Sequence, residues 1–251
     1  DRPLAEVGGK ALWTKELDLA LLDGTTDLSV HSMKDVESER PDALVIAAML
    51  ERADVRDRLI GARSIEALPS GGTVGTSSPR RAAQLLALRP DLHIEPIRGN
   101  VQTRLDKIAR GEADATMLAA AGLDRLGIEH GAPVPIDAML PAPGQAAIGI
   151  ECRVEDRELR TLLAAIDHHA THCAVDIERA FSRALGGNCH SPVAAFAEII
   201  AGSVRLRAEI LSSDGAERIA EDRIVAGADE AAAMAREMLG RASVATRALF
   251  A

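Results

Sequence analysis

Three short apolar segments, each followed by a helical pattern, constrain the fold of this chain more than any other feature. The segments are residues 73–76, 92–97 and 114–120, and the helical patterns that follow them are residues 79–88, 101–110 and 121–126. Consecutive parallel strands need a crossover, which is usually a helix, so this alternation predicts an α/β unit with a mostly parallel sheet. Ligands of such sheets bind at the carboxyl ends of the strands. The residues that directly follow each segment are therefore candidates for a binding site.

Segments on either side complete the predicted organisation. A helix at residues 11–22, a strand running into a polar turn within 27–36 and a buried strand at 43–50 come first; a strand at 146–152 and a helix at 156–166 follow a proline-rich connection. Beyond residue 167, one helix is followed by three strands joined by hairpin-like turns and then by a second helix, which indicates a small α+β unit. Its predicted helices are 171–185 and 228–240, and its predicted strands are 193–200, 203–212 and 217–225.

The charge and the cysteine content exclude several classes of protein. A net charge of −9 argues against general binding of nucleic acid or anionic membranes. No apolar run reaches the roughly 18 residues of a membrane span. Three widely spaced cysteines, Cys152, Cys173 and Cys189, suggest no disulfide framework, so a reducing cytoplasm is the expected compartment.

The stretch 75-GTSSPRRAAQL-85 has the features of a helix start that binds an anion. Ser78 suits the N-cap and Pro79 the first helical position. Thr76 and Ser77 add donors to the loop, and Arg80 and Arg81 add forked donors that match carboxylate or phosphate. Taken alone, the stretch is more typical of a capped surface helix with solvated arginines.

A second stretch, 97-IRGNVQTRL-105, repeats this arrangement with Arg98, Gly99 and Arg104. Residues 76–107 contain six basic and three acidic side chains, a local charge of +3 in a chain of −9. Arginines at successive strand ends converge on one edge of a parallel sheet, and Arg125 follows the next strand. We therefore predict a small polyanionic ligand at this edge.

The stretch 31-HSMKD-35 stands at another strand end. Lys34 and Asp35 form either a solvated pair or a site in which the carboxylate, kept ionised by cations, stabilises a cationic intermediate or relays protons. Both alternatives remain open from these residues alone, and Ser32 would belong to the same site.

Two further stretches contain possible metal or nucleophile residues. In 167-DHHATHC-173, the side chains His168, His169, His172 and Cys173 would need distant partners to bind zinc, so a helix start is favoured and no metal is predicted. In 184-ALGGNCHSP-192, Cys189 is either a free loop cysteine or a nucleophile that carries an attached group. Its neighbour His190 is poorly placed to act as its base.

Several stretches, in the same order, resemble the porphobilinogen deaminase family. They are VGGKALWTKEL, DLSVHSMKDV, GTSSPRRAAQL, IRGNVQTRL, LAAAGLDRLG, PAPGQAAIGIE and LGGNCHSPVAA. The resemblance implies an enzyme that joins four porphobilinogen molecules head to tail with loss of ammonia and releases hydroxymethylbilane. It also implies a dipyrromethane cofactor, rich in carboxylates, held through a thioether by the cysteine that matches Cys189.

The resemblance assigns roles to individual residues. Asp35 matches the catalytic aspartate, and Arg125, Lys10 and Gln145 match residues of the substrate cleft and the hinge. The remaining matched positions contribute to cofactor binding: Ser32, Lys34, Thr76, Ser77, Ser78, Arg80, Arg81, Arg98, Gly99 and Arg104. No nucleic acid or membrane partner is implied, and the expected state is a monomer.

The implied fold is α/β, with two periplasmic-binding-protein-like domains of mostly parallel sheet flanking a cleft, and a small C-terminal α+β domain. The corresponding ranges are 1–50 with 143–166, 54–140, and 168–251. The family also has a preceding β–α–β segment that this sequence lacks, so an incomplete first sheet is expected. Pro79 and the loop GGNC, where GGC is common, also depart from the family pattern.

Three alternatives are compatible with parts of the sequence. A non-enzymatic two-domain anion receptor would explain the arginines but leaves Cys189 without a role. A cysteine-nucleophile transferase or hydrolase would need a base paired with Cys189. An inactive fragment of the enzyme is the third.

Overall fold

The computed structural model describes residues 10–186 and 191–250, with the surroundings of their side chains from residue 14 onward. The described strands form three sheets of three, five and three strands. None of the described helices is long and apolar enough to cross a membrane.

The first sheet has the strand order β1-β8-β2. Its strands are β1 (Leu28–Ser32), β2 (Leu44–Met49) and β8 (Ile148–Arg153), and α1 (Lys10–Leu22) and α5 (Arg157–Leu163) pack near it. Both β1 and β2 pair antiparallel with β8. The expectation of a mostly parallel sheet is therefore wrong for these strands, because the chain returns from the second sheet and inserts β8 between two strands that share one direction.

The second sheet has the order β5-β4-β6-β3-β7. Its strands are β3 (Asp57–Ile60), β4 (Thr73–Gly75), β5 (His93–Glu95), β6 (Ala115–Ala119) and β7 (Ala132–Pro133). Its helices are α2 (Pro79–Leu88), α3 (Val101–Ala109) and α4 (Ala120–Arg125).

As predicted, β4 runs parallel to β5 and β6. The sequence did not predict β3, which runs antiparallel to β6, or β7. The α/β class is confirmed.

The C-terminal sheet is antiparallel, with the order β11-β10-β9. Its elements are α6 (His169–Leu185), β9 (Val193–Ile200), β10 (Ser203–Leu211), β11 (Arg218–Val225), α7 (Ala228–Arg241) and α8 (Val244–Arg247). Phe181 of α6 and Met234 of α7 pack with Leu206 and Ile210 in one hydrophobic core. This arrangement confirms the α+β character predicted for this part.

The three sheets meet around the proline-rich connection. Phe196 of β9 packs with Val55, Ala121 and Leu140, so the C-terminal sheet covers both crossings between the other two sheets. Val175 of α6 packs in a separate cluster that includes Met33 and Ala147. Helix α6 therefore contacts the turn that carries Lys34 and Asp35.

Candidate active site

The loop between β4 and α2 has the predicted helix-start geometry. Ser78 is the N-cap of α2 and its hydroxyl accepts from the Arg81 amide, with Pro79 at the first helical position. The Ser77 hydroxyl donates to the Ile97 carbonyl over 2.9 Å, and the Thr76 hydroxyl accepts from the Ser78 amide over 3.2 Å. The serine and threonine side chains thus fix the loop from which the arginines project.

The two arginines that follow are buried and share one carboxylate. Arg80 is 4% exposed and Arg81 is 7% exposed. Arg80 Nη2 donates to Asp57 Oδ2 and Arg81 Nη2 donates to Asp57 Oδ1, each over 2.7 Å. Burial alone would raise the pKa of Asp57, but the two guanidinium groups outweigh it and hold that pKa well below its usual range. The two arginines follow a strand, as the sequence predicts, whereas their partner Asp57 could not be identified from the sequence.

This cluster carries one positive charge more than it needs to be neutral. Two guanidinium groups face one carboxylate, and among the residues described the buried Nε atoms of Arg80 and Arg81 have no hydrogen-bond partner. Buried donors in folded proteins are nearly always satisfied by protein groups, ordered water or a ligand, so these two donors can each take a further partner. The missing partner must be an acceptor, and the charge balance favours an anion.

The second arginine loop lies beside the first. Asn100 caps α3 by accepting from the Thr103 amide, and Arg104 Nε donates to the Gly99 carbonyl over 2.9 Å. Gly99 has a φ of +117°, which favours glycine. Burial lowers the pKa of Arg104, and so does electrostatic repulsion from the guanidinium of Arg81. The two arginines are therefore close enough to interact. Arg98 is exposed on the same loop.

The turn after β1 contains the predicted catalytic aspartate. Residues Met33–Asp35 form one 3-10 turn, in which Met33 is buried and Lys34 and Asp35 are half-buried. Ser32 and Asp35 line an open cavity of about 240 Å³ together with Thr14, Leu17 and His31. The structure therefore brings Ser32 and Asp35 to one surface, as the sequence predicted.

The connection back to the first sheet contacts this turn directly. The Met33 amide donates to the Ala147 carbonyl over 3.0 Å. Gln145 is 1% exposed, and its Nε2 donates to the Val55 carbonyl over 2.7 Å and to Asp57 Oδ1 over 3.0 Å. Arg125 Nη2 donates to the Ala146 carbonyl over 3.2 Å. The side chains of Arg125 and Gln145 thus both form hydrogen bonds that fix this connection to the second sheet.

The remaining candidates have other outcomes. Cys189 lies outside the described residues, and so does the side chain of Lys10. His168 is the N-cap of α6 and His172 Nδ1 lies 2.7 Å from Asp167 Oδ1, so both belong to a helix start, as favoured. In residues 10–186 and 191–250, no group of three or more metal-binding side chains occurs.

Comparison with known proteins decides the family. Residues 1–161 match the model "Porphobilinogen deaminase, dipyromethane cofactor binding domain", and residues 172–241 match "Porphobilinogen deaminase, C-terminal domain". The chain belongs to the porphobilinogen deaminase family. A porphobilinogen deaminase of Sphingopyxis alaskensis is 57% identical over 100% of this chain and 82% of its own length. One of Paracoccus denitrificans is 50% identical over 96% of this chain and 80% of its own length.

Solved structures give a weaker likeness. A putative periplasmic sulfonate-binding protein of Methylobacillus flagellatus is 15% identical, with a TM-score of 0.37 over 65% of this chain and 51% of its own. The family match, by contrast, names the cofactor that its members bind, a dipyrromethane. The surplus positive charge and the two unsatisfied Nε donors of Arg80 and Arg81 fit a carboxylate-rich group of this kind.

Proposed function

We propose that this chain is a hydroxymethylbilane synthase, a transferase that condenses four porphobilinogen molecules with loss of ammonia. The observation that carries the proposal is the buried Arg80–Arg81 pair with its unsatisfied donors, in a chain whose relatives are named porphobilinogen deaminase. An anion receptor would explain the arginines equally well, but it would not explain the family match over both parts of the chain.

The arginines bind and orient carboxylates. Arg80 and Arg81 offer Nε–H groups from a buried, fixed position, and Arg104 and Arg98 add positive charge on the neighbouring loop. Fixed guanidinium groups lose little freedom when they bind a carboxylate, so they select both charge and orientation. These four residues would hold the cofactor and the growing chain, and Arg125 would hold incoming substrate.

Asp35 acts on the reacting ring. The dipyrromethane cofactor, when bound, supplies the pyrrole carbon to which the first substrate is joined. Loss of ammonia leaves positive charge on the substrate, and a carboxylate beside the ring nitrogen stabilises this charge and holds the proton that moves. The half-buried position of Asp35 on the cavity wall, with Ser32 beside it, supports this role.

Cys189 is the proposed attachment point of the cofactor, through a thioether. The two described cysteines are less suited. Cys152 is fully buried in β8, and burial raises the pKa of its thiol, which disfavours the reactive thiolate. Cys173 lies within α6 and packs, partly buried, against the core of the C-terminal sheet. We also propose that the enzyme works as a monomer in a reducing compartment such as the cytoplasm.

The test is turnover of porphobilinogen by the purified chain, measured as released ammonia and as porphyrin formed after acid oxidation. Asp35→Asn should lower turnover by about a hundredfold or more, because a neutral amide does not stabilise the developing charge. Asp42→Asn, at an exposed position just before β2, is the control and should leave turnover unchanged. Equal activity of both variants would remove Asp35 from the mechanism, and an inactive wild-type chain would contradict the proposed function.

A further inference from the structure

We propose that Asp57 is the positioning residue of the carboxylate-binding site: it holds Arg80 and Arg81 so that their Nε–H groups are the donors left for the ligand, and it fixes both to the turn that carries Asp35. The proposal rests on the proposed function for the identity of the ligand. No sequence motif indicates a role for Asp57.

Asp57 joins three parts of the chain at one point. It is the first residue of β3 and is 4% exposed. Its Oδ2 accepts from Arg80, and its Oδ1 accepts from both Arg81 and Gln145. All three donors are themselves more than nine-tenths buried. Because both oxygens are occupied and the surroundings are dry, neither guanidinium can rotate without losing a charged hydrogen bond.

The rest of each guanidinium is held by main-chain carbonyls. Arg80 Nη1 donates to the Leu140 carbonyl over 2.7 Å, and Arg81 Nη1 donates to the Met117 carbonyl over 2.9 Å. With Nη2 on Asp57 and Nη1 on a carbonyl, Nε is the nitrogen left without a partner in each described side chain. Each arginine therefore keeps one donor, its Nε–H group, for a carboxylate of the ligand.

The same carboxylate sets the local charge. Without Asp57, two buried cations would stand together, and each would raise the free energy of the other. With Asp57, the cluster has one surplus positive charge, enough to favour an anion and small enough for the pair to remain buried before the ligand arrives. Asp57 thus allows the site to be preformed.

Asp57 also links the arginines to the catalytic turn. Gln145 donates to Asp57, and two residues later the Ala147 carbonyl accepts from the Met33 amide. Met33 begins the turn that ends at Asp35. A shift of the Asp57 carboxylate would therefore change the position of the arginines relative to Asp35, and misplacement by about 1 Å is enough to lower rates by about a hundredfold.

The main test uses Asp57→Glu, which keeps the charge and moves the carboxylate by one methylene. Asp54→Glu is the matched control, because Asp54 pairs with Arg56 at the surface three residues earlier. The first measurement is made without substrate: the Nε–H resonances of Arg80 and Arg81 by heteronuclear NMR, assigned with Arg80→Lys and Arg81→Lys. We expect both resonances to shift or to exchange faster with water in Asp57→Glu and to be unchanged in Asp54→Glu.

The second measurement is steady-state turnover of porphobilinogen. Asp57→Glu should lower kcat by about tenfold or more and change KM less, because the arginines orient the cofactor and the growing chain relative to Asp35, whereas Arg125 holds incoming substrate. A purely structural role would lower the melting temperature and leave the kcat of the folded protein unchanged. Asp57→Asn extends the test: it should weaken loading of the cofactor, seen by mass, beyond any loss of folded protein measured by circular dichroism.

The outcomes separate this inference from the proposed function. Unchanged Nε–H resonances in Asp57→Glu would overturn the inference whether or not the chain is active. Shifted resonances with an unchanged kcat in an active enzyme would also overturn it. If the wild-type chain fails to turn over porphobilinogen, the proposed function fails, while the NMR comparison still decides whether Asp57 positions the two arginines.

Discussion

Arg52 and Glu178 form a bidentate ion pair in the interior, with Nη1–Oε1 and Nη2–Oε2 distances of 2.7 and 3.0 Å. Arg52 lies between β2 and β3, whereas Glu178 lies on α6, and the Glu178 side chain is completely buried. Glu178 also accepts from the amides of Gly144 and Ala197. This one carboxylate therefore joins both crossings between the first two sheets to the C-terminal sheet.

The variant Glu178→Gln should destabilise the chain strongly. It leaves the Arg52 guanidinium buried without its counter-charge, a change that lowers the free energy of unfolding by about 3 kcal/mol or more. Glu198→Gln on β9 is the control, because its partner Arg205 lies 3.5 Å away and both side chains are about one-third exposed. Urea unfolding should show a loss below about 1 kcal/mol for the control. Equal losses would refute the role given to the Arg52–Glu178 pair.

Stability should fall in acid partly because of Glu151. Burial opposes its ionisation, but hydrogen bonds from His31 and Arg40 outweigh burial and lower its pKa from 4.5 to about 2. A lowered folded-state pKa stabilises the fold above pH 4.5, and this contribution is lost as the pH falls toward 2. It amounts to about 3 kcal/mol.

The measurement is the free energy of unfolding in urea at several pH values between about 2 and 4.5. Glu151→Gln should show a flatter dependence on pH than the wild type. Glu155→Gln, at an exposed position that follows β8, should keep the wild-type dependence. An unaltered slope in Glu151→Gln would show that other carboxylates account for the acid sensitivity.

Gly144→Ala should affect turnover as well as stability. Gly144 has a φ of +70°, and a Cβ there would lie 3.0 Å from the carbonyl carbon and the Cβ of Met33. Gly111 has a φ of +73° with nothing within 4 Å of such a Cβ, so Gly111→Ala isolates the backbone strain, about 1 kcal/mol.

Both variants should lose that amount of stability, and Gly144→Ala should lose more, because Met33 must move. Displacement of the turn that ends at Asp35 should also lower kcat by about tenfold or more. Unfolding and turnover measured on both variants check this. The same stability and the same kcat in the two variants would show that Gly144 does not support the catalytic turn.

The local features of the fold could be predicted from the sequence, because they depend on neighbouring residues. Helix α2 begins at Pro79 with Ser78 as its cap, and Asn100 precedes α3, as their side-chain chemistry indicates. The apolar residues of β2 and β6 likewise indicate strands. The arginines of the site were identified for the same reason, since they follow strands directly.

Features that depend on distant residues could not be predicted in this way. The four residues of β3 include two charged ones, and nothing in DRLI indicates a strand. The insertion of β8 between β1 and β2 depends on the path by which the chain returns. The partners Asp57 and Arg81 are separated by 24 residues, and Arg52 and Glu178 by 126, so no spacing pattern reveals them. A buried arginine pair does require a carboxylate, which is the one signal that could have directed a search toward Asp57.

The central claim is that this chain carries a dipyrromethane on Cys189, and intact-protein mass spectrometry of the purified chain tests it most directly. The account predicts a mass excess of two substituted pyrrole units in the wild type and its absence in Cys189→Ser. Cys173→Ser is the matched control and should keep the excess. An unmodified wild-type mass, or an excess that persists in Cys189→Ser, would contradict the account.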